Sequence, residues 1–164
     1  MEKLIVILIS IGLAILDNSL IPFFSIHGVY PSILLTFAIA YSLVYGREKA
    51  VFIGSVSGIL QDLFFFNVFG INSILNLLLC LFASIIGENI FKTKKLIPII
   101  SMFLITVLKY MGIFIICYFL RIDMELFKGI GMALYNSIIM FFVYKLIMKI
   151  PDEEYKKRPW RFKW

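Results

Sequence analysis

Residues 96–120 read LIPIISMFLITVLKYMGIFIICYFL, and Lys109 is the only charged residue among these 25. A helix that is apolar on every side is either a core helix of a large protein or a membrane span, and this chain has only 164 residues. About 20 apolar residues in a helix cross the ~30 Å hydrocarbon layer of a bilayer. Segment 96–120 therefore predicts a membrane-spanning helix.

The composition extends this prediction to the whole chain. Hydrophobic residues make up 62% and charged residues 16%, and the mean hydropathy is +0.99, whereas soluble domains are about 45–50% apolar. Six crossings would use about 120 residues, and the remainder leaves no room for a folded domain in water. A soluble enzyme and a nucleic-acid-binding domain are therefore excluded.

Apolar runs bounded by charges, Gly or Pro predict an all-α integral membrane protein with six transmembrane helices. Pro22 and Pro31 break the chain between the first two spans. The composition changes sharply after residue 150, so we predict a basic aromatic cytoplasmic tail at 151–164. No internal repeat is evident. Within a transmembrane domain of residues 1–150, the predicted spans are 4–24, 29–45, 50–66, 69–91, 96–120 and 126–148.

The basic residues indicate the orientation. With the N-terminus in the cytoplasm, 13 of the 16 Lys and Arg fall on the cytoplasmic side, which is the distribution of the positive-inside rule. We predict a multi-pass protein with both termini cytoplasmic. The net charge of +6 then reflects topology and contact with anionic phospholipid, and not nucleic acid. The residues assigned to lipid contact are Lys156, Lys157, Arg158, Arg161 and Lys163.

Ionisable residues are rare inside a bilayer because their charged forms are poorly solvated there. Asp17, Asp62 and Lys109 lie inside predicted spans. At about 1.5 Å per residue, all three reach a similar level, slightly beyond the midplane toward the outside. Two asparagines reach a comparable level from the outer ends of their spans, and a glutamine adjoins one aspartate. This predicted polar layer consists of Asp17, Gln61, Asp62, Asn76, Lys109 and Asn136.

The polar layer has three interpretations. It is a charge-paired core that holds the helices in register, a ligand pocket, or a docking site for a polar group on a partner's helix. An isolated charge at this depth would cost several kcal/mol, so Lys109 is expected to pair with Asp17 or Asp62. Helix rotation is not fixed by sequence, and both pairings stay open.

Small residues line two of the spans. Gly54 and Gly58 form a GxxxG motif, and Asp62 lies four residues further on the same helix face. In the first span, Ser10 and Ala14 precede the aspartate at similar spacing. Small residues allow the close backbone approach through which helices associate in lipid. We predict that spans one and three pack through these residues, or that the Gly54–Gly58 face receives a partner's helix.

Motifs for catalysis or cofactor binding are absent from the sequence. His27 is the only histidine, so a cluster of histidine ligands cannot form, and no glycine-rich phosphate loop followed by lysine is present. Lys109 is the only candidate for a buried nucleophile, and structural pairing explains it more simply. We expect no catalytic residues, no metal, no cofactor and no enzymatic activity.

A stretch in the first half of the chain resembles a known family. GILQDL at 58–63, followed by GIN at 70–72, is similar to the central signature of the rod shape-determining protein MreD family. The prolines between the first two spans and YGR at 45–47 also resemble that family. Ser32 departs from the pattern, because the family often carries an acidic residue after the second proline.

The resemblance implies a scaffold subunit of the bacterial cell-elongation machinery in the cytoplasmic (inner) membrane, which helps organise peptidoglycan synthesis and cell shape. MreD-like proteins associate with the bitopic protein MreC, and through it with MreB and the RodA–transpeptidase wall synthase. The implied fold is similar to the substrate-binding subunits of energy-coupling-factor transporters. Two alternatives remain: a small-molecule-binding subunit of such a transporter, and a membrane enzyme that acts on lipid-linked substrates.

Overall fold

The computed structural model describes residues 2–26, 28–64, 70–89, 96–122, 125 and 127–148. Within these residues the chain forms six α-helices and one short 3-10 helix, without a strand beyond an isolated bridge between Ile26 and Val29. The predicted all-α architecture with six helices is therefore confirmed for this part of the chain. The helices are α1 (Glu2–Ser19), α2 (Ile33–Tyr45), α3 (Arg47–Phe64), α4 (Ile71–Asn89), α5 (Leu96–Phe119) and α6 (Phe127–Ile147).

The first connection is longer than the sequence predicts. Helix α1 ends at Ser19, and the chain continues as the 3-10 helix Ile21–Phe24, because Pro22 lacks an amide hydrogen and fits the tighter turn. Helix α2 begins four residues after the predicted start of its span, just beyond Pro31 and the N-cap residue Ser32. The other helix ends lie within three residues of the predicted span ends.

Three helices are long and apolar enough to cross a membrane: residues Ile71–Glu88 of α4, and all of α5 and α6. Helix α2 is apolar but has 13 residues, and α1 and α3 carry several charged residues. The prediction of transmembrane helices is thus confirmed. Six crossings and their orientation remain predictions.

Helix α2 occupies the centre of the bundle. It packs against each of the other five α-helices, and every residue from Leu34 to Tyr45 is buried. A helix of this length spans only about 20 Å, less than the ~30 Å hydrocarbon layer. The exposed residues Arg47 and Glu48 follow its C-terminus after one residue. Measured from this charged end, the N-terminus of α2 lies within the depth of such a layer, and its first residues, Ser32 and Ile33, are half-buried.

A single residue, Gly46, joins α2 to α3. Its φ is +85°, a conformation that a residue with a β-carbon rarely adopts. Its N–H donates to the Ser42 carbonyl (3.4 Å), and its own carbonyl accepts from the Ala50 N–H (3.0 Å). Gly46 therefore hydrogen-bonds to the last turn of α2 through its N–H and to the first turn of α3 through its carbonyl, which makes the corner tight.

Helices α3 and α4 approach each other most closely at the GxxxG motif. A β-carbon at Gly54 would lie 2.9 Å from Leu77 Cα, and one at Gly58 would overlap the backbone of Ser73. Helix α1 also contacts α3, but the two glycines face α4. This corrects the prediction that they mediate packing between spans one and three, and the backbone of α4 fills the space that a partner's helix would need.

Candidate functional site

Asp17 caps the half-buried N-terminus of α2. Its carboxylate accepts hydrogen bonds from the N–H groups of Ile33 (2.8 Å) and Leu34 (3.0 Å) and from the Ser32 hydroxyl (2.9 Å). The first N–H groups of a helix have no partner within the helix, and a negative charge is stabilised at that end. Asp17 is therefore part of a helix cap.

Asp62 performs the same task for α4. Its carboxylate accepts from the N–H groups of Asn72 (3.0 Å) and Ser73 (2.9 Å), and from the Ser73 hydroxyl. Each aspartate is the third-last residue of its own helix and caps the next helix along the chain. In both hairpins, α1–α2 and α3–α4, an aspartate near the end of the first helix thus caps the second helix. No sequence repeat accompanies this shared geometry.

Lys109 is held by an amide and not by a carboxylate. Its Nζ donates to Gln61 Oε1 at 2.5 Å, and the residue is only 7% exposed. Where the structure describes side chains, no ion pair joins Lys109 to an acidic residue. The expected pairing with Asp17 or Asp62 is therefore wrong, because donors at the helix N-termini already surround both carboxylates.

Gln61 connects the polar layer to the start of α2. Its Oε1 also accepts from Asn76 Nδ2 (2.9 Å), and its Nε2 donates to Ser32 Oγ (2.9 Å). The Ser32 N–H in turn donates to Asn136 Oδ1 (2.9 Å), and Asn136 Nδ2 donates to Thr106 Oγ1 (3.4 Å). Gln61 of α3 and Asn136 of α6 therefore bond directly to Ser32, the N-cap residue of α2, and they connect it to side chains of α4 and α5.

The structure brings five of the six predicted members of the polar layer into this one network. Asp62 lies outside it, bonded to the N-terminus of α4. Ser32 has a central position in the network, whereas the sequence-based prediction includes it only as a departure from a family pattern. A serine between a proline and an apolar run is typical of a helix N-cap, and that signal could have identified it.

The remaining predicted residues lie in different surroundings. Ser10 and Ala14 are buried on the inner face of α1, where the Ser10 hydroxyl donates to the Val6 carbonyl of its own helix (2.8 Å). Gly54 and Gly58 lie against α4. The residues assigned to lipid contact fall outside the described residues: Lys156, Lys157, Arg158, Arg161 and Lys163.

A cavity of about 390 Å³ lies beside the network. It is mostly apolar, and it extends from Gln61 and Lys109 to Tyr30 and Lys128, near the α1–α2 and α5–α6 connections. Ligand pockets commonly measure about 300–1,000 Å³, so the space is large enough for a small molecule. Among the described residues, no group of three His, Cys, Asp or Glu could hold a metal ion.

Comparison with known proteins identifies the family of the chain. No curated protein and no solved structure matches the chain, so the similarity to energy-coupling-factor transporter subunits remains a prediction. The family model for the rod shape-determining protein MreD matches residues 2–151, which is nearly the whole of the 164-residue sequence. The chain therefore belongs to the MreD family of rod shape-determining proteins.

Proposed function

We propose that this protein is a non-enzymatic scaffold of the bacterial cell-elongation machinery. It binds an MreC-like bitopic membrane protein and, through it, MreB and the RodA–transpeptidase wall synthase, and so helps organise peptidoglycan synthesis. The family match over residues 2–151 carries the proposal, because membership implies a role in rod-shape determination. Helices make up most of the described residues, so within this part of the chain the surface available to a partner consists largely of helix faces.

The proposal places the protein in the inner membrane, with six crossings and both termini in the cytoplasm. The distribution of Lys and Arg supports this orientation. Arg47 and Glu88 form an ion pair of 2.9 Å, so the α2–α3 corner and the C-terminus of α4 lie at the same end of the bundle, as an alternating arrangement requires. The basic tail at 151–164 is proposed to lie on anionic phospholipid.

Helix α1 provides the face that we assign to the membrane helix of the MreC-like partner. The glycine face of α3 is covered by α4, whereas Gly12 of α1 is exposed, with no atom within 4 Å of the position of an added β-carbon. Leu8 and Ile15 on the same side of α1 are 60% and 53% exposed. A glycine on an open apolar face permits the close backbone approach that membrane helices use to associate.

The experiment compares Gly12→Phe with Ile138→Phe, which places the same side chain on the exposed face of α6. Both variants are expected to fold, since neither position is packed against another helix. Co-purification of the MreC-like protein from membranes should fall severalfold for Gly12→Phe and stay at the wild-type level for Ile138→Phe. Equal retention by both variants would disprove the docking face, and no retention by the wild-type chain would disprove the scaffold function.

A second candidate, a small-molecule-binding subunit of an energy-coupling-factor-type transporter, is favoured by one observation, the cavity beside Lys109. This candidate requires a transmembrane energy-coupling subunit to co-purify with the chain, which the scaffold function does not require.

A further inference from the structure

The wall of the cavity contains a buried cation without a bonded anion. The Lys109 ammonium carries three donors, and among the described residues only the neutral amide oxygen of Gln61 accepts from it. Asp17 lines the same cavity, but its carboxylate already accepts three hydrogen bonds and compensates the positive end of α2. A buried ammonium of this kind is costly unless an anion lies beside it.

The rest of the cavity limits what that anion can be attached to. The wall is mostly apolar and includes Leu34, Leu60, Ile113 and Met132. An inorganic ion would leave this apolar space unfilled, whereas an apolar body that carries one anionic group would fill it. A second lysine, Lys128, stands near Gly28 at the end of the cavity close to the helix connections, but its ammonium already pairs with the Glu125 carboxylate (3.1 Å). Lys109 is therefore the cation of this wall that has no bonded anion among the described residues.

We propose that the cavity binds one carboxylate or phosphate group carried on an apolar body, with Lys109 as its counter-charge. Two sources share this chemistry: a free organic acid, and the headgroup of a phospholipid whose chains remain in the bilayer. The site lies inside the bundle and is separate from the α1 face assigned to the MreC-like partner. The proposal therefore does not depend on the scaffold function.

Two variants and one matched control test the site. Lys109→Met keeps an unbranched side chain, one atom shorter, and removes its charge, while Asn76 still donates to Gln61. Ile113→Trp fills the cavity from a position that makes no polar contact. Ile115→Trp adds the same side chain two residues further along α5, where Ile115 is 52% exposed on the outside of the bundle.

Native mass spectrometry of the full chain, freed of lipid and held in a neutral detergent, measures binding. The anionic probes are naphthoate and dihexanoyl phosphatidylglycerol, and their uncharged counterparts are naphthalenemethanol and dihexanoylglycerol. We expect a single adduct with at least one anionic probe, weaker by about tenfold or more in Lys109→Met, absent in Ile113→Trp and unchanged in Ile115→Trp. Binding of naphthoate alone identifies a free acid as the ligand class, and binding of phosphatidylglycerol alone identifies a lipid headgroup.

Three results would overturn the proposal: no adduct with either anionic probe, equal binding of the uncharged counterparts, or unchanged binding in Ile113→Trp. If Lys109→Met does not fold, the comparison of the two tryptophan variants still decides the matter. Failure of the scaffold function would be seen separately: the MreC-like partner would not co-purify with the chain, and the adducts seen by native mass spectrometry would be unchanged.

Discussion

At the scale of single residues, the aspartates satisfy the backbone and do not neutralise the lysine. The first N–H groups of α2 have no acceptor within their own helix, and the hydrocarbon of a bilayer offers none in its place. Asp17 supplies the acceptors at this end of α2, and Asp62 supplies them at the start of α4. Negative charge is favourable at both places because helix N-termini are positive.

Replacing Asp17 by alanine is expected to lower the stability of the bundle. The change leaves the N–H groups of Ile33 and Leu34 without their acceptor, at a cost of about 2 kcal/mol or more. Thermal unfolding in detergent, followed by circular dichroism, measures the effect. The control is Asn18→Ala, because among the described residues the Asn18 amide bonds only to the Ala14 carbonyl of its own helix. Equal melting temperatures for the two variants would contradict the capping role.

The sequence predicted the depth of the polar layer but not its partners. Depth follows from counting residues at about 1.5 Å each, so the sequence predicts similar levels for Asp17, Asp62 and Lys109, although Asp62 lies outside the network. The partners depend on where α2 begins and how each helix is rotated. If the second span started at residue 29, as the sequence predicts, its N-terminus would not lie where Asp17 could cap it. An ion pair between Asp17 and Lys109 is then the simplest expectation for the two charges.

At the scale of helices, glycines decide which elements touch. The GxxxG motif predicts that another helix approaches α3 closely, but the motif alone does not identify that helix. The structure assigns the motif to α4, the next helix along the chain, because Gly58 lies directly against the backbone of Ser73. This contact also brings the N-terminus of α4 to Asp62, one turn further along α3. Close packing and capping therefore depend on each other in this hairpin.

The substitution Gly58→Ala should destabilise the protein, whereas Gly12→Ala should not. A β-carbon at Gly58 overlaps the backbone of α4, which can move away only by separating the two helices, while the same atom at Gly12 meets nothing within 4 Å. Overpacking of this kind costs about 1–3 kcal/mol. The fraction of monodisperse protein after heating, measured by size-exclusion chromatography, compares the two. Equal heat resistance would mean that α3 and α4 are not held together at Gly58.

At the scale of the whole molecule, the bundle is built around its shortest helix. Two hairpins, α1–α2 and α3–α4, meet at the Gly46 corner, and α5 and α6 complete the enclosure of α2. Composition correctly predicts that the chain has membrane helices, because the share of apolar residues can be counted without knowing how the helices pack. It does not predict that the central helix has 13 residues, because a buried helix and a lipid-facing helix of equal polarity look alike in sequence.

The alternating order of the helices places Glu48 and Arg121 at opposite ends of the bundle. Glu48 follows the α2–α3 corner, and Arg121 follows the C-terminus of α5; both are exposed. The native residues Cys80 and Cys117 are buried, so a membrane-impermeant maleimide should report mainly on an introduced cysteine. If the positive-inside rule applies, Arg121→Cys is labelled in right-side-out vesicles and Glu48→Cys in inside-out vesicles.

The two cysteine variants separate the orientation of the protein from its fold. Labelling of each variant from the side opposite to that expected would reverse the topology and leave the six-helix arrangement intact. Labelling of both from the same side would contradict the arrangement itself. Three spans, α3 to α5, are predicted between the two positions, and an odd number of spans carries the chain to the other face of the membrane. If the labelling places the α2–α3 corner in the cytoplasm, the Lys128 end of the cavity faces the outer side of the membrane, and the proposed ligand would enter from outside the cell or from the outer leaflet.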